Sequence, residues 1–419
     1  MRRQEAVANR SMEALEMAPH ETEPHSGEFY SAESWSAVSA RLGVLQVLPD
    51  MMPNGPARAT VDMAAAVVAA GGRAVVASGG GPLVVDLQRC GATHILVPFH
   101  NTSAFARWTN IRRLMKAIRR HRIAIVHARQ PDSAWLARKA AQYCGAWFIT
   151  TCHGFHDASN AAARRHNAVM AQATRVIAVS DTVAEHLRTN YPMPSGRLWV
   201  VPPGIDLLRF DPARVGAERI AHLAQQWRLP DGVPVVMLPG RLTRSRGQRD
   251  LIQALGELGS RELHCAFVAE EPGNPGYRKE LVKLAQKHGL DSRLTIADDC
   301  RDMAAAYMLA DVIVYARADS AGFARVVGEA QAMGRPIVAY DSALLREQVG
   351  DGRMTWLVPP GNSEALGEAV AEALDLSAAE RQALAPEANA VARQRYNRAN
   401  AASAMIELYL ELLTEAQAA

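Results

Sequence analysis

The 419-residue chain is short of cysteine, of net charge and of long apolar runs. Its five cysteines, Cys90, Cys144, Cys152, Cys265 and Cys300, show neither CxxC nor metal-ligand spacing. They read as reduced thiols of a cytoplasmic protein, with no metal site and no disulfide framework. The formal charge of +3 gives no argument for nucleic acid as a partner. No apolar stretch reaches the roughly 18–20 residues that span a bilayer. Residues 1–40 contain no continuous apolar h-region of a secretory signal. They are rich in Glu, Ser, Ala and His and predict a disordered or weakly ordered extension.

What is present is a globular composition, 49% hydrophobic and 21% charged, in a chain long enough for two domains of about 150–200 residues each. Short apolar runs at 43–48, 73–77, 94–98, 123–127, 146–151, 176–180 and 198–202 alternate with helical stretches, among them 60–70, 105–121 and 182–190. A loop at 49–56 follows the first run. After a polar stretch at 207–232 the pattern restarts, with runs at 234–238, 264–269, 294–297, 311–315 and 336–340. This alternation predicts an α/β protein with two Rossmann-like, doubly wound parallel sheets facing a cleft. The predicted layout is an extension over 1–40, a first domain over 41–206 and a connector over 207–232. A second domain over 233–395 and a C-terminal amphipathic helix over 396–419 follow.

Four stretches could carry chemistry. Residues 311–340 read as strand, small polar loop and helix, the helix covering 323–333. A helix N-terminus facing such a loop is an anion site, because the first turn has unused N–H groups and a positive dipole end. Glu329 stands in the apolar run VVGEAQAM, where a carboxylate could accept from both hydroxyls of a ribose. The alternative is a surface ion pair with Arg325, four residues earlier and in the less favourable orientation. In LPGRLTRSRGQRDLI, Arg241 and Arg246 follow Gly240 at the mouth of a strand, which suits a diphosphate; a solvated basic loop is the alternative. His153 follows a strand end in TTCHGFHD, although a lone histidine is more often structural. The helix at 105–121 carries Arg107, Arg112, Arg113, Lys116, Arg119 and Arg120 between apolar residues that include Phe105 and Trp108. It reads either as a sheet-covering helix with a solvated face or as a contact to an anionic membrane surface. In the second case each basic residue adds about 1 kcal/mol.

Taken in order, GGGPLVVDLQRCGA (79–92), IVHARQPDSAW (125–135), ITTCHGFHD (149–157), VVPPGIDLLRFDP (200–212), LPGRLTRSRGQRDLIQAL (238–255), the 311–340 stretch and WLVPPGN (356–362) resemble the family 4 retaining glycosyltransferases of the GT-B fold. The likeness is to enzymes of bacterial lipopolysaccharide-core and exopolysaccharide assembly. The resemblance implies that Arg241 and Arg246 hold the donor diphosphate, Arg246 standing where the family usually has Lys. It implies that Glu329 binds the ribose, that the backbone at Phe323, Ala324, Arg325 and Val326 offers N–H groups to phosphate, and that His153 lies at the donor sugar. The loop at Asn54 and Gly55 would line the acceptor side. The implied chemistry needs no metal or cofactor, the sugar nucleotide being a substrate. The implied partners are that donor and a glycan or lipid-linked acceptor; the basic helix separately predicts an anionic membrane surface, and the near-neutral charge predicts no nucleic acid. The implied location is the cytoplasm, at the inner face of the plasma membrane. The family's first carboxylate, eight residues before Glu329, is replaced by Ala321, with Asp319 two residues away as a substitute. Ala343-Leu344 stands for a family Gly-Gly, Met354-Thr355 for Thr-Gly and Asn54-Gly55 for another Gly-Gly. These departures keep open a second reading, a catalytically degenerate GT-B protein acting as a binding or scaffold partner.

Overall fold

The computed structural model describes residues 42–418 except 102, 260, 272, 319–321 and 351. The extension expected over residues 1–40 lies outside them. The first sheet comprises β1 (Gly43–Val47), β2 (Arg73–Ser78), β3 (Thr93–Leu96), β4 (Ile125–Ala128), β5 (Trp147–Cys152), β6 (Arg175–Ala178) and β7 (Leu198–Val200). Its strands are parallel, in the order β3-β2-β1-β4-β5-β6-β7. The second comprises β8 (Val235–Pro239), β9 (His264–Val268), β10 (Leu294–Ala297), β11 (Val312–Tyr315), β12 (Ile337–Tyr340) and β13 (Thr355–Val358), parallel in the order β10-β9-β8-β11-β12-β13. Central strands such as VVMLP of β8 are buried at every residue, because helices cover both faces of the sheet. Both sheets belong to one compact unit.

In each sheet the chain winds outward from the first strand and then reverses, at β1/β4 and at β8/β11. Loops leaving the carboxyl ends of those strands diverge there and open a crevice. It is bordered by α1 (Gly55–Ala69), α4 (Arg325–Ala332) and α6 (Arg398–Ala418), whereas α2 (Ala104–Arg120), α3 (Asp181–Asn190) and α5 (Ala343–Val349) stand outside its lining.

Two sequence expectations change here. The helix expected from residue 60 begins at Gly55, so Asn54 and Gly55 are a helix start rather than a loop. The Asn54 side chain accepts from the Ala57 N–H at 2.9 Å, and Pro56 supplies a first-turn φ. The helix expected over 323–333 is limited to Arg325–Ala332, because Gln348 engages Ala324 on both sides. Gln348 accepts from the Ala324 N–H at 3.0 Å and donates to its carbonyl at 2.8 Å.

The halves are joined at several points. Gly154 and Gly322 form an antiparallel bridge. A Cβ on Gly322 would lie 2.1 Å from the His153 carbonyl, so only glycine fits that approach. Leu344, at a position where the resemblance expects glycine, is buried in the first half's core, so its side chain fills a contact between the halves. Helix α6 returns to the first half, where the Tyr409 hydroxyl lies 2.6 Å from His127 Nδ1.

Candidate active site

A cavity of about 710 Å³ lies at the two reversal points, between the halves. Asn54, Gly55, His153, Gly240, Arg241, Arg246, Phe323, Ala324, Arg325, Val326 and Glu329 all line it. Asp319 and Ala321 fall outside the described residues.

On the second half's wall, the loop after β8 carries Gly240, Arg241 and Arg246. Gly247, at φ +80°, ends that loop against β11, where a Cβ would lie 2.1 Å from the Ala316 carbonyl. Both arginines are half-buried and border the cavity beside the start of α4. The N–H groups of Arg325 and Val326 begin that helix and have no intrahelical acceptor. Ala324 does not join them as expected, since its N–H is committed to Gln348.

Glu329 is not the surface ion pair the spacing allowed. Its side chain is only 13% exposed, with Arg325 Nε at 3.6 Å. The Tyr307 hydroxyl donates to its Oε2 at 2.9 Å. Burial raises the Glu329 pKa above the usual value, against the opposing pull of Arg325 and Tyr307. A carboxylate so held keeps acceptor capacity on Oε1 for hydroxyls entering from the cavity. Tyr307 has no local sequence signal, being 22 residues from its partner.

On the first half's wall stands a network that sequence reasoning missed. Arg129, just beyond β4, is 3% exposed. Its Nε and Nη2 donate to Gln46 Oε1 at 3.0 and 2.6 Å. Gln46 in turn donates to the Thr60 carbonyl at 3.0 Å, which fixes its amide orientation. Arg129 Nη1 lies 3.4 Å from His153 Nε2. Burial, then the charge of Arg129, then His156, holds the His153 pKa well below the usual histidine value. His153 is therefore neutral, with a lone pair on Nε2 facing the guanidinium. Behind it His127, fully buried, contacts Thr151 Oγ1 at 2.7 Å and Tyr409 at 2.6 Å.

Glu270, after β9, was also missed. It pairs with Arg58 of α1 and with Arg209 at 2.9 Å, tying the two walls at the cavity's rim. Among the described residues, no three His, Cys, Asp or Glu side chains are gathered as a metal site.

Away from the cleft, α2 exposes Phe105 (75%) and Trp108 (49%). Their rings stack at 6.1 Å, and Arg112 lies 3.9 Å over Trp108. Arg113, Lys116, Arg119 and Arg120 are exposed on the same helix. Among the described residues, no helix is long and apolar enough to cross a membrane.

The model of Glycosyltransferase Family 4 matches residues 53–209, and that of Glycosyl transferases group 1 matches residues 233–375. A D-inositol 3-phosphate glycosyltransferase of Xylanimonas cellulosilytica is 31% identical over 247 residues, covering 58% of this chain and 58% of that relative. An alpha-D-kanosaminyltransferase of Streptomyces kanamyceticus is 27% identical over 60% of this chain and 63% of its own. The chain thus spans about three-fifths of the length of these curated relatives. Among solved structures, a glycosyltransferase from Rickettsia africae superposes with a TM-score of 0.81 at 25% identity, over 89% of this chain and 98% of its own. Anabaena HepE, crystallised with UDP and glucose, superposes with a TM-score of 0.77 at 19% identity, over 88% and 99%.

Proposed function

We propose that this chain, which belongs to the GT-B glycosyltransferases of family 4 and group 1, moves a sugar from a nucleotide-sugar donor to a cell-envelope glycan or lipid-linked acceptor of lipopolysaccharide or exopolysaccharide assembly, with retention of configuration. The observation that carries the reading is the convergence of Arg241, Arg246, Glu329 and His153 on one cavity between the halves. HepE, with the same fold, was crystallised with UDP and glucose, which supports a nucleotide sugar as donor.

In this reading the diphosphate lies between Arg241, Arg246 and the N–H groups of Arg325 and Val326. Two guanidiniums and a helix N-terminus stabilise the charge that develops on the leaving phosphate. They supply the positive charge that a metal would otherwise bring, so the reaction is proposed to be metal-independent and to need no cofactor. Glu329, steadied by Tyr307, accepts from the ribose hydroxyls. His153, neutral at physiological pH, approaches the donor sugar as a hydrogen-bonding group and carries no charge to the reaction. A leaving-phosphate oxygen on the same face takes the proton of the acceptor hydroxyl as the new glycosidic bond forms.

A scan of UDP-, GDP- and ADP-sugars for hydrolysis and transfer tests this. Turnover or acceptor-independent hydrolysis with one donor is expected; none, beside an active relative, sinks the enzyme reading. Ala321 in place of the family's first carboxylate favours the alternative of a degenerate binding or scaffold protein. Activity appearing only in Ala321→Glu would establish that alternative. We further propose that α2 docks on the anionic inner face of the plasma membrane, its stacked Phe105 and Trp108 entering the interface and its cations meeting the headgroups. Co-sedimentation with anionic vesicles that falls with salt is expected. Equal binding to neutral vesicles removes the idea.

A further inference from the structure

Arg129 has no use in donor binding. It lies on the first half's wall, whereas the arginines assigned to the diphosphate lie on the second. It is nearly fully buried, yet it borders the cavity. A guanidinium carries five N–H donors. Gln46 takes two and His153 faces one, which leaves two for the cavity. No carboxylate among the described residues pairs with it; Asp62, the acidic side chain on the same wall, is engaged by Arg398 at 3.3 Å. Asp62 supports the Arg129 charge only from a distance, and a buried cation with no counter-ion in contact is costly unless a ligand supplies the charge.

The charge balance of the cleft agrees. Among the described residues, seven arginines and four carboxylates line it. A nucleoside-diphosphate sugar brings about two negative charges, so with the donor bound the cleft still has a positive excess. Arg129 stands on the side that the resemblance assigns to the acceptor, by the start of α1 and the loop after β5.

We infer that the acceptor carries a phosphate group, and that Arg129, oriented by Gln46 and backed by His153, is the residue that binds it. This rests on the glycosyltransferase reading for the word acceptor, but the phosphate site itself does not. Gln46 holds the Nε–Nη2 edge of the guanidinium, so the remaining N–H groups on Nη1 and Nη2 can meet two oxygens in a forked pair rather than as a point charge. An uncharged acceptor of the same shape would leave those two donors unmet and bind more weakly.

The test uses the full chain. UDP and GDP are first titrated by calorimetry into wild type, Arg129→Gln and Arg129→Lys. Inorganic phosphate is then titrated into each protein, without nucleotide and with the bound nucleotide at saturation. Nucleotide affinity is expected to agree within about twofold across the three. Phosphate is expected to bind the nucleotide-saturated wild type, to weaken at least about tenfold in Arg129→Gln, and to weaken less in Arg129→Lys, the loss of one charge-assisted pair. Phosphate binding that is absent in wild type, or equal in all three, overturns the inference. If neither nucleotide binds wild type, the donor reading fails while the nucleotide-free phosphate titration still decides the role of Arg129. Should Arg129→Gln fail to fold, Arg129→Lys decides: phosphate binding equal to wild type counts against a forked site. A purely structural arginine would lower the melting temperature and leave phosphate affinity unmoved.

Discussion

On the second half's wall of the cleft, the charged groups assigned to the donor come from two short stretches, Arg241 and Arg246 from the loop after β8 and Arg325 and Glu329 from one face of α4. On the first half's wall, Gln46 sits on β1, Arg129 beyond β4 and His153 beyond β5, joined by bonds that span 83 and 24 residues. The arginines of the second wall are half-buried, and Arg129 is buried. Half-buried guanidiniums exchange water for a multiply charged ligand at small cost. A buried one is already desolvated and is aimed before the ligand arrives. The second wall is thus suited to holding charge, and the first to selecting by position.

If that division is right, Arg246→Ala has the largest effect, a loss of about 10²–10³ in kcat, the size seen when one donor to a developing oxyanion is removed. Steady-state kinetics on the donor found in the scan measures it. A change confined to KM would mean that Arg246 binds the ground state only. Glu329→Ala comes next. It removes hydrogen bonds to a charged group worth about 1.5–3 kcal/mol, so the donor KM rises about 10- to 150-fold while acceptor KM stays level. A donor KM unchanged in Glu329→Ala would remove Glu329 from the ribose. A donor KM raised as much in Arg129→Gln as in Glu329→Ala would erase the distinction between the walls.

The same contrast explains what could be read in advance. The parallel sheets were legible because buried strands such as VVMLP are continuous apolar runs. Arg325 and Glu329 were legible because four residues on a helix make one face, and Arg241 and Arg246 because they share a loop with Gly240. Their burial was not legible, since it depends on Tyr307 arriving from another helix. Nor was the Arg129 network, because no local pattern tells which strands become neighbours at a reversal of strand order. His127, with Tyr409 a distance of 282 residues along the chain, is the extreme case. The start of α1 was misplaced for a local reason: Asn54 followed by Gly55 suggests a turn as readily as a cap.

Acid should separate the halves as well. Burial holds His94, His127, His153 and His156 below the usual histidine pKa in the first half, the last at about 4, whereas His264 stands alone in the second. The unfolded chain takes up these protons near pH 6.5 and the folded chain does not. More protons bound to the unfolded state means stability that falls as pH drops below about 6.5, by up to about 1.4 kcal/mol per pH unit for each histidine. Stability is regained as pH rises through the same window. Hydrogen exchange at pH 7 and pH 5.5 is expected to show β4 and β5 losing protection ahead of β8 and β11. Equal loss in both sheets would mean that the histidines do not set the acid limit.

The smallest effect tests a contact that joins the halves. Glu347 of α5 reaches across to cap α3, accepting from the Asp181 and Thr182 N–H groups at 2.8 Å each and from the Thr182 hydroxyl. Burial alone would raise its pKa; the bonds from Thr182 and Asp181 outweigh that and hold it below the usual value near 4.5. A carboxylate held low stabilises the fold above about pH 4.5 and loses that contribution only as pH falls through its folded pKa. Its effect is therefore the same at pH 7 and at pH 5.5, which separates it from the histidines. A cap of this kind is worth about 1 kcal/mol, with a further few tenths from the negative charge at a helix N-terminus. Glu347→Ala is expected to raise exchange at the first turn of α3 about fivefold at both pH values, with Glu347→Gln in between. Because the cap touches neither wall's binding groups, and each ligand is held by one wall, phosphate and nucleotide affinities should both stay level. A selective loss of one would mean that Glu347 acts on a single wall.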